Sequence, residues 1–177
     1  DIVVTTGGSS VGSRDLLPEV VDDLGEVLVH GVALKPGHPV ALGIVEDTPI
    51  VMLPGYPVAA IVNAVQFLRP VLKYVGHLPD DPPPTTEVEL ARKIPSEPGV
   101  RTFARVKVDD DGRQSDGDDL GGDGDAPSVP TATPTRASGS GVLSSVALAD
   151  GWVVVPEGRE GFDVGETVTV EHWEWSA

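Results

Sequence analysis

The chain has 177 residues, of which 40% are apolar and only 5% aromatic; it carries no cysteine and a net charge of -16, from 28 acidic against 12 basic side chains. That length suits one domain or two small ones with a core of Val, Leu, Ile and Ala, and the missing cysteines exclude disulfides, thiolate metal sites and a Cys nucleophile. The acidic surface repels nucleic acid and anionic membrane, so neither is expected as a partner.

Only four lysines occur, Lys35, Lys73, Lys93 and Lys107. Abundant Asp and Glu with scarce Lys is the composition of a halophile's protein, such as one from a halophilic archaeon. The chain opens on DIVVTT with neither Met nor a basic leader, which reads as a cytoplasmic protein and as a portion of a longer one.

Residues 1–6 read as a buried strand that ends at Gly7-Gly8. Residues 15–24, DLLPEVVDDL, read as a helix with Asp15 placed to cap it, Pro18 in its first turn and Gly25 as its stop. EVLVHGVAL (26–34) reads as a second strand. HPVALGIVE and TPIVMLPG read as two more, joined across Asp47. A helix follows from Pro57, a favoured first helical residue, and Pro70 is expected to kink or end it. The run 56–75 is apolar enough to pass for a membrane span. Asn63, Gln66, Pro70 and Lys73 fall at helical spacing, however, which points to a core helix with one wet edge. This order indicates an α/β layer.

HLPDDPPPTTE is rich in proline and marks a domain boundary, with 77–86 as the linker. From 87 onward short alternating strands appear, TEVELARKI, RTFARVKVD, GWVVVP and ETVTVEHW, which read as a small all-β barrel or sandwich. Residues 109–125 hold eight Asp. They do not follow a calcium-loop register, since Gly112 comes too early and no Glu closes the loop, so the stretch reads as a solvated acidic loop.

Three turns draw attention. Gly7 to Gly12 has Walker A spacing, yet Ser13 and Arg14 stand where Lys and Ser or Thr belong, which argues against a P-loop. Bare backbone N–H groups at Gly7, Gly8 and Gly12, with the hydroxyls of Ser9 and Ser10, still suit an anion. The alternative is an ordinary strand-to-helix turn. LKPGHP presents Lys35 and His38 on a stiff turn, or is a solvated turn. LPGYP places Pro54, Gly55 and Pro57 at a strand end and helix start, or is a tight connection. If all three follow strands of one sheet, they share the crevice where α/β sheets bind ligands, and a small anion is the ligand such turns suit.

DIVVTTGGSSVGSRD, VALKPGHPVALG and VMLPGYPVAA, in that order and spacing, resemble the molybdopterin molybdenumtransferase family (MoeA, and the gephyrin E domain in animals). GVRTFARV and SGSGVLSSVALADGWVVVPEG resemble the family's small C-terminal β-barrel. The resemblance implies the C-terminal half of a three-layer α/β molybdopterin-binding domain over 1–76 and a barrel over 87–177. It implies a transferase of molybdenum cofactor biosynthesis that inserts molybdate into adenylylated molybdopterin and releases AMP, assisted by Mg2+, as a homodimer.

Carried over by position, the resemblance assigns Gly7, Gly8, Ser9, Ser10 and Gly12 to the pterin phosphate, and Pro54, Gly55 and Pro57 to the pterin or nucleotide wall. It assigns Lys35, His38, Arg105 and Ser140 to molybdate, and Asp15 to Mg2+ or to orienting water, with Asp15 and Lys35 as the catalytic pair. The family's second turn lysine is His38 here, a weaker cation. Its Asn is Tyr56 and its following Ser is Ala59. Three rivals stay open: a catalytically silent molybdopterin-binding or dimerisation module; the adenylyltransferase of the preceding step, which shares the Gly-Gly loop but needs no barrel; and a general phosphate-binding α/β domain.

Overall fold

The structure is a computed structural model that describes residues 1–8, 16–109, 129–135 and 144–172, side chains 144 and 145 excepted. Ser9, Ser10, Gly12, Asp15 and Ser140, and almost all of the acidic loop, lie outside the described residues.

The first sheet holds β1 (Val3–Thr6), β2 (Glu26–His30), β4 (Ala41–Val45) and β5 (Thr48–Leu53), in the order β1-β5-β4-β2. Only β1 and β5 run parallel; β4 pairs antiparallel with both β5 and β2. The sheet is therefore mixed, not half of a parallel one, because β4 and β5 form a hairpin whose Glu46-Asp47 tip puts Glu46 at φ 54°. Alternation along β5 supplies both faces. Ile50 and Met52 pack with Val21 of α1 (Leu17–Leu24), whereas Val51 and Leu53 pack toward Ala60, Ala64 and Phe67 of α2 (Pro57–Val75).

Helix α2 spans Pro57–Val75. By length and hydropathy it could cross a membrane, but its first half packs into the protein, with Val58, Ala59, Val62 and Asn63 buried. Pro70 neither ends nor breaks it. Proline lacks an N–H and crowds the carbonyl four residues back. A π-helical stretch at Ala64–Leu68, where the Arg69 N–H reaches back to the Ala64 carbonyl, absorbs this before the α-helix resumes at Arg69–Val75. The expected wet edge is confined to its later part: Asn63 is wholly buried, whereas Gln66 and Lys73 are half-buried and Pro70 is exposed.

The single strand expected over 26–34 is two. The chain turns at Gly31, with φ 85°, and β3 (Leu34–Lys35) leaves the first sheet. It pairs in parallel with β8 (Arg101–Asp109), Leu34 opposite Arg101 and Lys35 opposite Thr102. The turn after Lys35 thus follows a strand of the second sheet, so the three glycine turns do not follow strands of one sheet.

That second sheet closes into a five-stranded barrel of β6 (Thr85–Leu90), β8, β9 (Thr131–Pro134), β10 (Gly151–Val155) and β12 (Thr167–His172). The β10–β8 pairing completes the ring. A small rim of β7 (Ile94–Pro95) and β11 (Gly161–Phe162) pairs beside it. Val88, Leu90, Val106, Val153, Val155, Val168 and Val170 fill the lumen. On the opposite faces of β8 and β10, Phe103 and Trp152 look outward and meet Leu34 and Val62. Their rings pack edge-on at 5.3 Å and 77°, so sheet, helix and barrel share a core.

Candidate functional site

The turn that carries Lys35 is fixed by its ends and its middle. The Gly31 N–H donates to the Val40 carbonyl and the Val32 N–H to the His38 carbonyl, both at 2.8 Å, so residues 33–37 bulge out as a closed loop. The Arg101 N–H donates to the Ala33 carbonyl at 2.9 Å and anchors the loop to the barrel. The Lys35–Pro36 peptide is cis. From the other side, Asn63 Nδ2 donates to the Gly37 carbonyl at 2.9 Å and to the Ala59 carbonyl at 2.8 Å.

This turn forms one wall of a cavity of about 600 Å3. Pro54, Tyr56 and Ala59 extend that wall, and the barrel supplies the other through Lys93, Thr102, Arg105 and Thr135. Arg105 reaches it by strand alternation: it lies two residues after Phe103 on β8, on the face turned away from the lumen. Four basic side chains therefore line the cavity, Lys35, His38, Lys93 and Arg105, and among the described lining residues there is neither Asp nor Glu. In a chain with 28 acidic residues, that cluster of basic side chains makes the cavity a candidate anion site.

Each cation has its own setting. Lys35 Nζ lies 2.7 Å from Glu97 Oε1, and Lys93 Nζ lies 2.8 Å from Asp163 Oδ1. The hydrogen bond to Asp163, then its charge, raises the Lys93 ammonium above its ordinary range. Burial lowers the Arg105 guanidinium below its ordinary range; arginine keeps its charge there. His38 is exposed.

The glycine loop is adjacent but separate. Gly7 and Gly8 adopt φ of 81° and 75°, and the Gly7 N–H donates to the Leu53 carbonyl at 2.9 Å. A Cβ on Gly55 would come within 3.3 Å of Gly7 Cα, so the ends of β1 and β5 touch backbone to backbone. Gly7, Gly8, Gly55 and Pro57 are not among the cavity's lining residues, whereas Pro54 is. Of the predicted site residues, the structure thus gathers Lys35, His38, Arg105 and Pro54 and leaves the Gly-Gly turn to one side. Sequence reading missed Lys93, although the scarcity of lysine that singled out Lys35 applies to it equally. It set Asn63 on a wet edge and missed its role at the turn, for which an amide in an otherwise apolar helix was the available signal.

Among the described residues no group of three or more His, Asp or Glu could hold a metal ion. Asp15, the residue expected near Mg2+, lies outside them.

Residues 1–74 match the family described as a probable molybdopterin binding domain, and residues 122–173 match the MoeA C-terminal region, domain IV. A Methanocaldococcus jannaschii protein assigned to molybdopterin biosynthesis is 38% identical over 170 residues, covering 96% of this chain and 36% of its own. The Bacillus subtilis molybdopterin molybdenumtransferase is 29% identical over 187 residues, covering 99% of this chain and 40% of its own. The crystal structure of a Pyrococcus horikoshii molybdopterin biosynthesis MoeA protein superposes with a TM-score of 0.69 at 32% identity, over 99% of this chain and 38% of that one. The chain thus spans between 36% and 40% of the length of these relatives.

Proposed function

Since the chain belongs to the molybdopterin molybdenumtransferase (MoeA) family, with a molybdopterin-binding region at 1–74 and the family's C-terminal region at 122–173, we propose that it acts in molybdenum cofactor biosynthesis. The reaction is insertion of molybdate into adenylylated molybdopterin with release of AMP. It belongs to the protein as long as those relatives, of which this chain is the barrel and the adjoining sheet.

One observation carries this reading: the cavity between sheet and barrel gathers Lys35, His38, Lys93 and Arg105 without a lining carboxylate. Molybdate is a dianion, and a preorganised set of cations holds it without solvent reorganisation. Lys35 on its anchored turn and Arg105 on a rigid strand grip the oxyanion from opposite walls. Two strand-end glycine turns, Gly7-Gly8 and Gly55, lie beside it and make the seat we assign to the pterin phosphate. Holding both ligands on rigid elements turns their encounter into a positioned one. We read the first sheet, with α1 on one face and α2 on the other, as part of a three-layer domain completed by chain that the longer relatives possess. The homodimer and the salt-rich habitat belong to the same reading.

Titrating molybdate into the purified protein tests it. Binding that is lost in Lys35→Ala and in Arg105→Gln supports the assignment. Binding that survives both substitutions overturns it.

A further inference from the structure

Both lysines of the cavity hold carboxylate partners that are not themselves part of its lining. Glu97 pairs with Lys35 at 2.7 Å and Asp163 with Lys93 at 2.8 Å, and neither carboxylate lines the cavity. Both belong to one small rim of the barrel. Glu97 follows β7 and Asp163 follows β11, and those two strands pair with each other through Ile94 and Phe162. Both carboxylates are well exposed, at 68% and 71%. An exposed pair of this kind is weak and exchanges readily.

From this geometry we infer that Glu97 and Asp163 are tethered counter-ions that an incoming oxyanion displaces, so that they set the anion affinity of the cavity and make Lys93 one of its binding residues. The inference rests on the anion-site reading above. A dianion seated between the walls meets Lys35, Lys93 and Arg105 together, and its attraction to each lysine replaces that of one singly charged carboxylate. The displaced carboxylates are already at the surface and regain full hydration. Each tether thus holds affinity down by about the worth of one exposed pair, while keeping the lysine aimed at the cavity.

The test is a double-mutant cycle read by calorimetric titration. Molybdate is one probe and AMP, a phosphomonoester dianion, the other; the probe whose Kd moves identifies which oxyanion meets Lys93. Asp163→Asn is expected to tighten binding about two- to fivefold, the equivalent of one exposed ion pair. Glu97→Gln is expected to do the same, and Lys93→Met to weaken binding. The deciding arm is Asp163→Asn in the Lys93→Met background, where a local competitor has nothing left to release and the effect vanishes. An equal gain in both backgrounds shows only a long-range change of charge and overturns the inference. So does no gain in the wild-type background. If no variant binds either probe, or if binding survives Lys35→Ala and Arg105→Gln, the anion-site reading itself fails. All three substitutions fall on exposed side chains, and circular dichroism confirms that the variants fold.

Discussion

The side-chain amide of Asn63 donates to the Gly37 carbonyl at 2.9 Å, from the buried half of α2 to the turn that carries Lys35. Gly37 sits at φ 118°, and a Cβ placed on it would run into Asn63 Nδ2. Glycine is therefore required twice at this position, for its backbone and for the space. Gly37→Ala is expected to destabilise the protein by about 1–3 kcal/mol. Asn63→Ala removes the donor shared by Gly37 and Ala59, at a cost of about 1–3 kcal/mol for the carbonyls left buried. Urea unfolding measures both. Because one bond links the two sites, the double variant should cost less than the sum.

Phe103 and Trp152 make the second joint. Their edge-on pair at 5.3 Å sits where Leu34 of β3 and Val62 of α2 meet the outer face of the barrel. The Trp152 Nε1–H donates to Glu171 Oε2 at 2.9 Å, which satisfies the one polar atom of the ring. Trp152→Ala is expected to cost about 3–5 kcal/mol, and a cycle with Phe103→Leu should show a coupling of about 0.5–1.5 kcal/mol. A coupling near zero would mean that the edge-on pair adds nothing beyond the burial of each ring.

The parts that sequence made legible were those dictated by local rules. Two-residue alternation in RTFARVKVD and GWVVVP, proline at the start of α2 and the Gly-Gly stop after β1 all produced the elements they predict. What escaped was long-range. Nothing local says that VALK leaves its own sheet to pair with β8; that is decided by Leu34 finding Phe103 and Trp152. Nor does proline's local rule foresee that a π-turn will carry α2 past Pro70. The short strand at Thr131–Pro134 is held between β6 and β8 by pairing, with little apolar content of its own. In the cavity, Lys35, His38 and Arg105 were legible through motifs. Lys93 was not, because its role depends on a wall made of residues far apart in sequence.

The Lys93–Asp163 pair predicts a pH dependence at both ends of the scale. The hydrogen bond from Lys93, then its charge, holds the Asp163 carboxyl below its ordinary 3.8. The same bond raises Lys93 above its ordinary 10.5. An acid with a depressed folded value stabilises above its unfolded value, and that contribution is lost as pH falls through the folded one. A base with a raised folded value stabilises below its unfolded value, and loses that contribution as pH rises through the folded one. Asp163→Asn should therefore lower Tm at the centre of the profile and converge on wild type in strong acid and in alkali, so that both limbs become shallower. A profile that matches wild type at its centre as well would show that the pair contributes nothing in solution.

Oxyanion binding should appear as stability, since whatever binds only the folded state stabilises it. Molybdate at about 100 times its Kd is expected to add about 2.7 kcal/mol and to raise Tm with concentration. The choice of residue at 105 decides how much of this survives. Burial already works against the charge of Arg105, and a guanidinium tolerates this because it cannot be deprotonated in a protein. A lysine ammonium in the same place is more strongly hydrated, loses its proton more readily and lacks the planar fork that meets two oxygens at once. Arg105→Lys is therefore expected to lose most of the molybdate-dependent rise in Tm despite its retained formal charge, as Arg105→Gln does. If Arg105→Lys keeps the full rise, charge alone serves at that wall, and the fork geometry assigned to Arg105 is wrong.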